Sequence, residues 1–184
     1  MSKRQQYNFQ IQIKTRCRRA RRPTAKKSAE MTHATAVLEK NIKSVMGNKR
    51  KLSILIPYKI RDGEIMVYLQ KRARDAKRLP GYFGFFGGGA ENDENPEEAL
   101  RREIKEEMDF TPEDYTLLGY YEFEHNTRHV FVLKVDDEFE KNIKIIEGEY
   151  GKWFAEKEAL DEPKLIEEDK IALRDLYELL RLQK

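Results

Sequence analysis

Residues 87–108 read Gly87-Gly88-Gly89-Ala90-Glu91-Asn92-Asp93-Glu94-Asn95-Pro96-Glu97-Glu98-Ala99-Leu100-Arg101-Arg102-Glu103-Ile104-Lys105-Glu106-Glu107-Met108. A glycine run passes here into a helix with a well-marked start. Asn95 offers a capping side chain, Pro96 suits the first helical position, and Glu98 stands where a capping-box acid would. The spacing predicts a helix from Pro96 to about Met108. At about 100° per residue, with Leu100 as zero, Leu100, Ile104 and Met108 fall within roughly 80° of one another and form the buried stripe. Glu106, Glu103 and Glu107 fall near roughly 240°, 300° and 340°, flanking that stripe. Arg101, Lys105 and Glu98 lie elsewhere, and only Arg102, near about 200°, sits beside the three acids.

That segregation has a cost. Glu103 and Glu107 are four residues apart, and like charges so placed destabilise a helix by roughly 0.2–0.5 kcal/mol. Partial burial beside the apolar stripe increases the repulsion. A divalent cation relieves it, and Mg²⁺ and Mn²⁺ are hard ions that take carboxylate and carbonyl oxygens. Such an ion cancels phosphate charge and lowers the pKa of a bound water. A Glu-rich helix alone is ordinarily a solvated face. Here the glycines at 84, 87, 88 and 89 must be explained as well. They let the backbone turn sharply and approach a ligand closely, although a tight strand-to-helix connection needs the same freedom.

Outward from this segment, the texture alternates between strands and helices. Leu52–Tyr58 and Ile65–Leu69 read as a hairpin around Arg61-Asp62-Gly63-Glu64. Tyr115–Glu124 and His129–Val135 read as two more strands, with Asn126-Thr127-Arg128 as the turn between them. Lys152–Ala155 is a short strand, in which one of Trp153 and Phe154 faces inwards, and Glu156–Leu160 a helical turn. Glu167–Leu182 is a terminal helix with Ile171, Leu173, Leu176, Leu179 and Leu180 as its apolar stripe. No regular βαβ alternation is present, which predicts an α+β layered domain.

The 184 residues suffice for one ordinary domain. Hydrophobic residues make up 39% and charged residues 38%, so a core of ordinary size carries a heavily charged surface. No apolar run approaches the length that spans a bilayer. Cys17 is the single cysteine, which excludes an internal disulfide, and no Cys/His cluster suggests zinc. A soluble, cytoplasmic protein is expected.

The net charge of +3 conceals a polarity. Residues 1–50 carry about +12 and the remainder about −9. We expect a basic, poorly ordered arm over residues 1–45, with a short helix over 34–46, and a folded domain over 46–184. The arm is either a solvated tail or a phosphate-binding arm for RNA or a membrane surface. A transit peptide ranks below both.

The glycine loop and helix resemble the Nudix motif, G-x5-E-x7-R-E-U-x-E-E-x-G-U, where U is a bulky aliphatic residue. Gly88, Glu94, Arg102, Glu103, Ile104, Glu106 and Glu107 match at the right spacings. Phe110 takes the last U position, and Asp109 replaces the second glycine. The resemblance extends upstream through Leu79–Gly88 and downstream through Glu147–Phe154. It implies an α/β/α sandwich around a mixed β-sheet, with the motif as a loop–helix–loop. It also implies metal-dependent attack by water on a phosphorus of a nucleoside diphosphate linked to a group X. By position, Glu103, Glu106 and Glu107 would be metal ligands with the Gly87 carbonyl, Glu103 would also polarise the water, and Arg102 would orient a glutamate. Gly88 and Glu94 would be structural. The missing glycine marks a helix end at positive φ, which Asp tolerates better than most residues, so Asp109 implies a stability cost without lost chemistry.

Outside the motif, Glu147 and Glu149 are candidates for a further base or metal contact, or solvated loop acids. Arg72 and Arg74, beside Lys71, are candidates for holding phosphates, or surface residues. His125 is a candidate substrate contact.

The leading reading is hydrolysis of a small nucleotide, a nucleoside triphosphate or a sugar nucleotide, with Mg²⁺ or Mn²⁺ as cofactor. The second is an RNA 5′-end pyrophosphohydrolase that uses the basic arm. The third is a non-catalytic nucleotide-binding module, against which the complete Arg102-Glu103…Glu106-Glu107 set argues. An isomerase of this fold needs a cysteine in the body, and Cys17 lies in the arm. Dimerisation is common in the family, so a homodimer is among the expected assemblies. Group X and the base are set by loops outside the motif.

Overall fold

The alternating segment after Lys49 forms the hairpin at the centre of the computed structural model, which describes residues 49–183. The expected arm over 1–45 and the helix expected over 34–46 lie outside the described residues. Strand β1 (Arg50–Arg61) and β2 (Glu64–Lys71) pair antiparallel. Asp62 and Gly63 both take positive φ, 52° and 80°, the conformation a two-residue hairpin turn demands. Next come β3 (Phe83–Gly84), β4 (Phe86–Gly89) and helix α1 (Pro96–Met108). Then β5 (Thr116–Glu122), β6 (Asn126–Lys134), β7 (Tyr150–Ala155), α2 (Glu156–Asp161) and α3 (Glu167–Leu182) complete the chain.

The seven strands form one mixed sheet. β1 pairs in parallel with β6 along one edge; along the other it pairs antiparallel with β4 and then with β2. β2 also carries β7 and β3. Side-chain alternation then divides the core into two layers. Ile54, Ile56, Ile65, Val67 and Leu69 face one side, packed with Leu173, Leu176 and Tyr177 of α3 and Ala159 of α2. Leu55, Tyr68 and Phe86 face the other side, against Leu100, Ile104 and Met108 of α1. The fold is therefore the expected α+β sandwich, with helices on both faces of a mixed sheet.

Helix α1 begins as its sequence predicts. The Asn95 side chain accepts from the Glu97 and Glu98 amides at 3.0 Å each, and the Glu98 carboxylate accepts from the Asn95 amide at 2.9 Å. It ends at Asp109, which is left-handed at φ 47°. In β7, Phe154 is fully buried in the α3 layer while Trp153 packs on the α1 layer, so both aromatics serve the core from opposite faces.

Two expectations are corrected. Asn126-Thr127-Arg128 is not a turn: these residues open β6, paired in parallel with Arg50, Lys51 and Leu52, and the turn lies one step earlier, closed by the Phe123 amide donating to the Asn126 carbonyl at 2.8 Å. The polar triplet is strand because Arg128 is buried and ion-paired, a partner that local sequence does not reveal. In α3, Ile171 and Leu179 are exposed, and Ala172 and Tyr177 take their places in the buried stripe. Counted from Leu173 at about 100° per residue, Ile171 falls at about 160°, opposite the stripe, and Leu179 at about 240°, at its edge.

Because Asp109 holds a left-handed conformation that glycine adopts without steric cost, Asp109→Gly is expected to raise the urea midpoint of unfolding. Helicity and ligand binding should stay at wild-type levels, since the Asp109 side chain contacts only the exposed Lys105.

Candidate active site

The glycine loop lies between β1 and α1. Gly87 has φ 112°, and a Cβ there would sit 2.9 Å from the Ile54 Cα, so the loop is pressed against the central strand as only glycine permits. A Cβ on Gly88 would overlap the Glu103 carboxylate. The two glycines thus make room on opposite sides, one for the sheet and one for an acid of the helix.

Glu107 points from α1 into this space. Only 8% of its surface is exposed, and its Oε2 accepts from the Gly87 amide at 2.8 Å. Burial pushes its carboxyl up to about 8; the Gly87 hydrogen bond opposes the rise, and the charges of Glu103 and Glu147 add to it. Glu103 lies one turn earlier. Burial raises its pKa too, the Arg102 guanidinium holds it back, and Glu106 and Glu147 push it further up.

Arg102 is the brace. Its Nε and Nη2 grip both oxygens of Glu94, at 2.9 and 3.0 Å, and Nη2 also donates to the Gly89 carbonyl at 2.9 Å. Nη1 donates to Glu103 Oε1 at 3.0 Å and reaches Glu106 Oε2 at 3.4 Å. Those bonds hold the Glu94 carboxyl down to about 2, and its Oε2 closes the loop by accepting from the Glu91 amide at 2.9 Å. Arg102 therefore joins the loop carbonyl, its bracing acid and one site acid in a single bidentate hub.

A third acid arrives from outside the motif. The segment before β7 satisfies the open carbonyls at the end of α1: the Lys144 amide donates to the Met108 carbonyl at 3.0 Å and the Ile146 amide to the Glu107 carbonyl at 2.8 Å. Gln70 Nε2 then holds the Glu147 carbonyl at 2.9 Å. This brings the Glu147 carboxylate close enough to act on both Glu103 and Glu107.

These groups line a cleft of about 1230 Å³, larger than most drug-sized pockets and ample for a nucleotide. Glu103, Glu107, Glu147, Gly87, Gly88 and Arg72 line it together. His125 lies at its mouth. Three expected residues stand apart. Glu106 is largely exposed and turned to Arg102, and neither Glu149 nor Arg74 lines the cleft, since they pair with each other at 3.1 Å. Among the described residues no three His, Cys, Asp or Glu side chains close into a ready-made metal cage. The donor set is one buried and one partly buried carboxylate with a third nearby, all oxygen, and it suits a hard divalent cation that keeps several waters.

Sequence reasoning missed several lining residues. Arg50 and Arg78 line the cleft with Arg72, and none of the three pairs with a carboxylate among the described residues. Arg50 is the first residue of β1, yet by composition it counts with the basic arm. Asn126 and Arg128 read from sequence as a turn, and Glu168 carries no signal there beyond its place at the start of the terminal helix.

The comparisons with known proteins agree with this geometry. The profile of the NUDIX domain matches residues 49–177. The chain belongs to the Nudix family. It is similar to the 8-oxo-dGTP diphosphatase of Escherichia coli (strain K12), 35% identical over 81 residues, which cover 44% of this chain and 61% of that protein. It is similar to the nucleoside triphosphatase NudI of Escherichia coli (strain SE11), 44% identical over 59 residues, which cover 32% of this chain and 40% of that protein. The matches thus span about three-fifths and two-fifths of these curated relatives. Among solved structures, a MutT NUDIX hydrolase from Burkholderia pseudomallei superposes with a TM-score of 0.54 at 27% identity, covering 71% of this chain and 99% of that one.

The raised carboxyl of Glu107 sets a pH dependence. An unfolded glutamate ionises near its ordinary value of 4.5, whereas the folded one holds its proton up to about 8. Stability contributed by that proton is full below the unfolded value and is lost as pH rises towards 8. Without divalent metal, the urea midpoint is expected to fall between pH 5 and pH 8. Glu107→Gln should flatten this slope and unfold later than wild type at pH 8; equal slopes would show that Glu107 does not carry the effect.

Proposed function

We propose that the protein is a divalent-metal-dependent hydrolase that cleaves the diphosphate linkage of a nucleoside diphosphate joined to a group X. A nucleoside triphosphate is the first candidate and a sugar nucleotide the second. One observation carries the reading: the buried Glu107 and the partly buried Glu103 stand side by side, Glu107 without an ion-pair partner among the described residues, in a cleft also lined by three arginines that form no ion pair with a carboxylate among them. Such an arrangement is unfavourable by itself and favourable around a cation and a phosphate chain.

Glu103, Glu107 and the Gly87 carbonyl would hold Mg²⁺ or Mn²⁺. Glu106 would join them by releasing Arg102, a rotamer change of an exposed side chain. When bound, the ion neutralises phosphate charge and favours ionisation of water. Arg102 keeps Glu103 oriented, and Glu103 accepts a proton from the attacking water. Glu147, with no partner for its charge among the described ion pairs, is a second candidate base or metal contact. Arg72, with Arg50 and Arg78, binds the phosphates and shields their charge from the acidic floor. The curated relatives are named for nucleoside triphosphates or 8-oxo-dGTP, which supports placing these first. A cytoplasmic location and the division into an arm over 1–45 and a domain over 46–184 belong to the same proposal.

The test is turnover by the full chain, with Mg²⁺ and with Mn²⁺. The panel comprises nucleoside triphosphates, 8-oxo-dGTP, sugar nucleotides, ADP-ribose, dinucleoside polyphosphates and 5′-triphosphate RNA. We expect hydrolysis of one class, abolished by chelation and lowered roughly 10²-fold or more by Glu103→Gln, the contribution typical of a positioned base. Metal binding without turnover on any substrate would sink the hydrolase reading in favour of a nucleotide-binding module. Activity confined to RNA, lost without residues 1–45, would favour the RNA-end reading.

A further inference from the structure

The strand that leads into the glycine loop changes partner in mid-course. β3 (Phe83–Gly84) is hydrogen-bonded to β2, whereas β4 (Phe86–Gly89) is hydrogen-bonded to β1. Phe85 is the single residue between them, buried and outside both ladders. A buried amide there needs an acceptor from elsewhere. Asp169, in the first turn of α3, supplies it: its Oδ2 accepts from the Phe85 amide at 3.2 Å.

Asp169 is itself 3% exposed, and its other oxygen takes Arg128 Nη1. Arg128 is fully committed. Its Nε donates to Asn126 Oδ1 at 2.8 Å, Nη2 to Glu168, and its guanidinium stacks over Phe123 at 4.9 Å. An arginine so held cannot turn to a phosphate, although it lines the cleft. Gly84 allows the approach of α3, since a Cβ there would meet Ile166 Cδ1 at 3.0 Å and Asp169 Oδ2 at 3.3 Å. The Phe83 amide and carbonyl are tied to Lys164 and Ile166 at 2.7 and 3.3 Å.

Two residues after Phe85, the Gly87 amide donates to Glu107. Two buried carboxylates thus grip alternate amides of one strand, Asp169 from the α3 layer and Glu107 from the α1 layer. We propose that Asp169, anchored by Arg128, is a positioning residue for the candidate site: it fixes the chain at Phe85 and so holds Gly87 against Glu107. Neither residue touches substrate or metal in this role. The proposal rests on the assignment of Glu103, Glu107 and Gly87 to metal binding.

The test uses the full chain with Arg128 and Asp169 replaced together, Arg128→Met with Asp169→Leu. Removing both members leaves no stranded buried charge, and such exchanges are often neutral for folding. Three readouts are taken: thermal unfolding, Mn²⁺ affinity from the free-ion resonance signal, and hydrogen exchange at the Gly87 amide. Where the panel has given a substrate, kcat and KM are added. We expect a folded protein whose melting temperature is lowered by loss of the Phe85 acceptor, Mn²⁺ affinity lowered roughly 10-fold, faster Gly87 exchange, and a fall in kcat with KM unchanged. If the double variant does not fold, the isosteric Asp169→Asn is judged on the same readouts. A folded variant with wild-type Mn²⁺ affinity and Gly87 exchange overturns the proposal, even if its melting temperature drops, because the pair is then only a staple. A wild-type protein that binds Mn²⁺ but hydrolyses nothing refutes the hydrolase reading alone. A wild-type protein that binds no Mn²⁺ removes the metal site and overturns this proposal with it.

Discussion

The Glu107 carboxylate, buried against the Gly87 amide, is the constraint around which the rest of the site is arranged. A side chain at position 87 would strike β1, so the loop can lie there only as glycine. The loop must lie there for its amide to meet a carboxylate from the last turn of the helix. The helix in turn is fixed by Leu100, Ile104 and Met108, each fully buried, which leaves Glu107 facing the loop and the cleft. One hydrogen bond to a backbone amide offsets part of the desolvation of a carboxylate, not all of it. The protein therefore carries an unfavourable group at the centre of a well-packed layer. Glu103 and Glu147, both acidic and both near, make it worse. Sites that break local rules in this way are where a fold sacrifices stability for function.

The sequence made the motif and the layer order legible because both rest on local, periodic signals. Asn95, Pro96 and Glu98 mark the helix start through contacts within one turn, and the structure reproduces each bond. The motif resemblance implies that Arg102 orients a glutamate and that Glu94 is structural, and the structure joins the two in one ion pair. What stayed hidden depends on long-range partners. The sequence offers Glu147 and Glu149 alike as candidates, and only the loop that caps the end of α1 some forty residues earlier, a contact with no periodic signature, brings Glu147 to the site. Arg128 reads as part of a turn, and Asp169 only as one residue of the terminal helix. Each residue is polar where burial needs an apolar one, and only their pairing across the fold makes the burial tolerable. Ile171 and Leu179 show the converse: hydrophobic character alone placed them in the stripe, and helix geometry turned them outwards.

The arginines illustrate why a count of basic residues says less than a list of their partners. Arg128, Arg102 and the Arg50, Arg72, Arg78 group all lie within or beside one cleft. Arg102 and Arg128 have each of their nitrogens donated to protein acceptors, and they act as structural crosspieces between layers or between loop and helix. Among the described residues the Arg72 side chain donates only to the Arg78 carbonyl. The fold thus separates two duties that composition merges: planar guanidinium groups as internal bidentate braces, and guanidinium groups left open towards the cleft.

That separation bears on how the cleft can act. An acidic floor and a basic rim would collapse onto each other if the arginines could reach the glutamates, and the cleft would close as an ion-pair cluster. It stays open because the floor acids are held from behind, Glu103 by Arg102 and Glu107 by Gly87, while Arg72 is tethered to a carbonyl on its own loop. Opposite charges kept apart across a cleft are a poor arrangement for stability and a good one for a ligand that carries phosphate to the rim and a cation to the floor. The two buried carboxylates that grip Phe85 and Gly87 hold that gap from both layers of the sandwich. The position of the acidic floor is then a property of the packed core, whereas Arg50 and Arg78 of the rim are exposed.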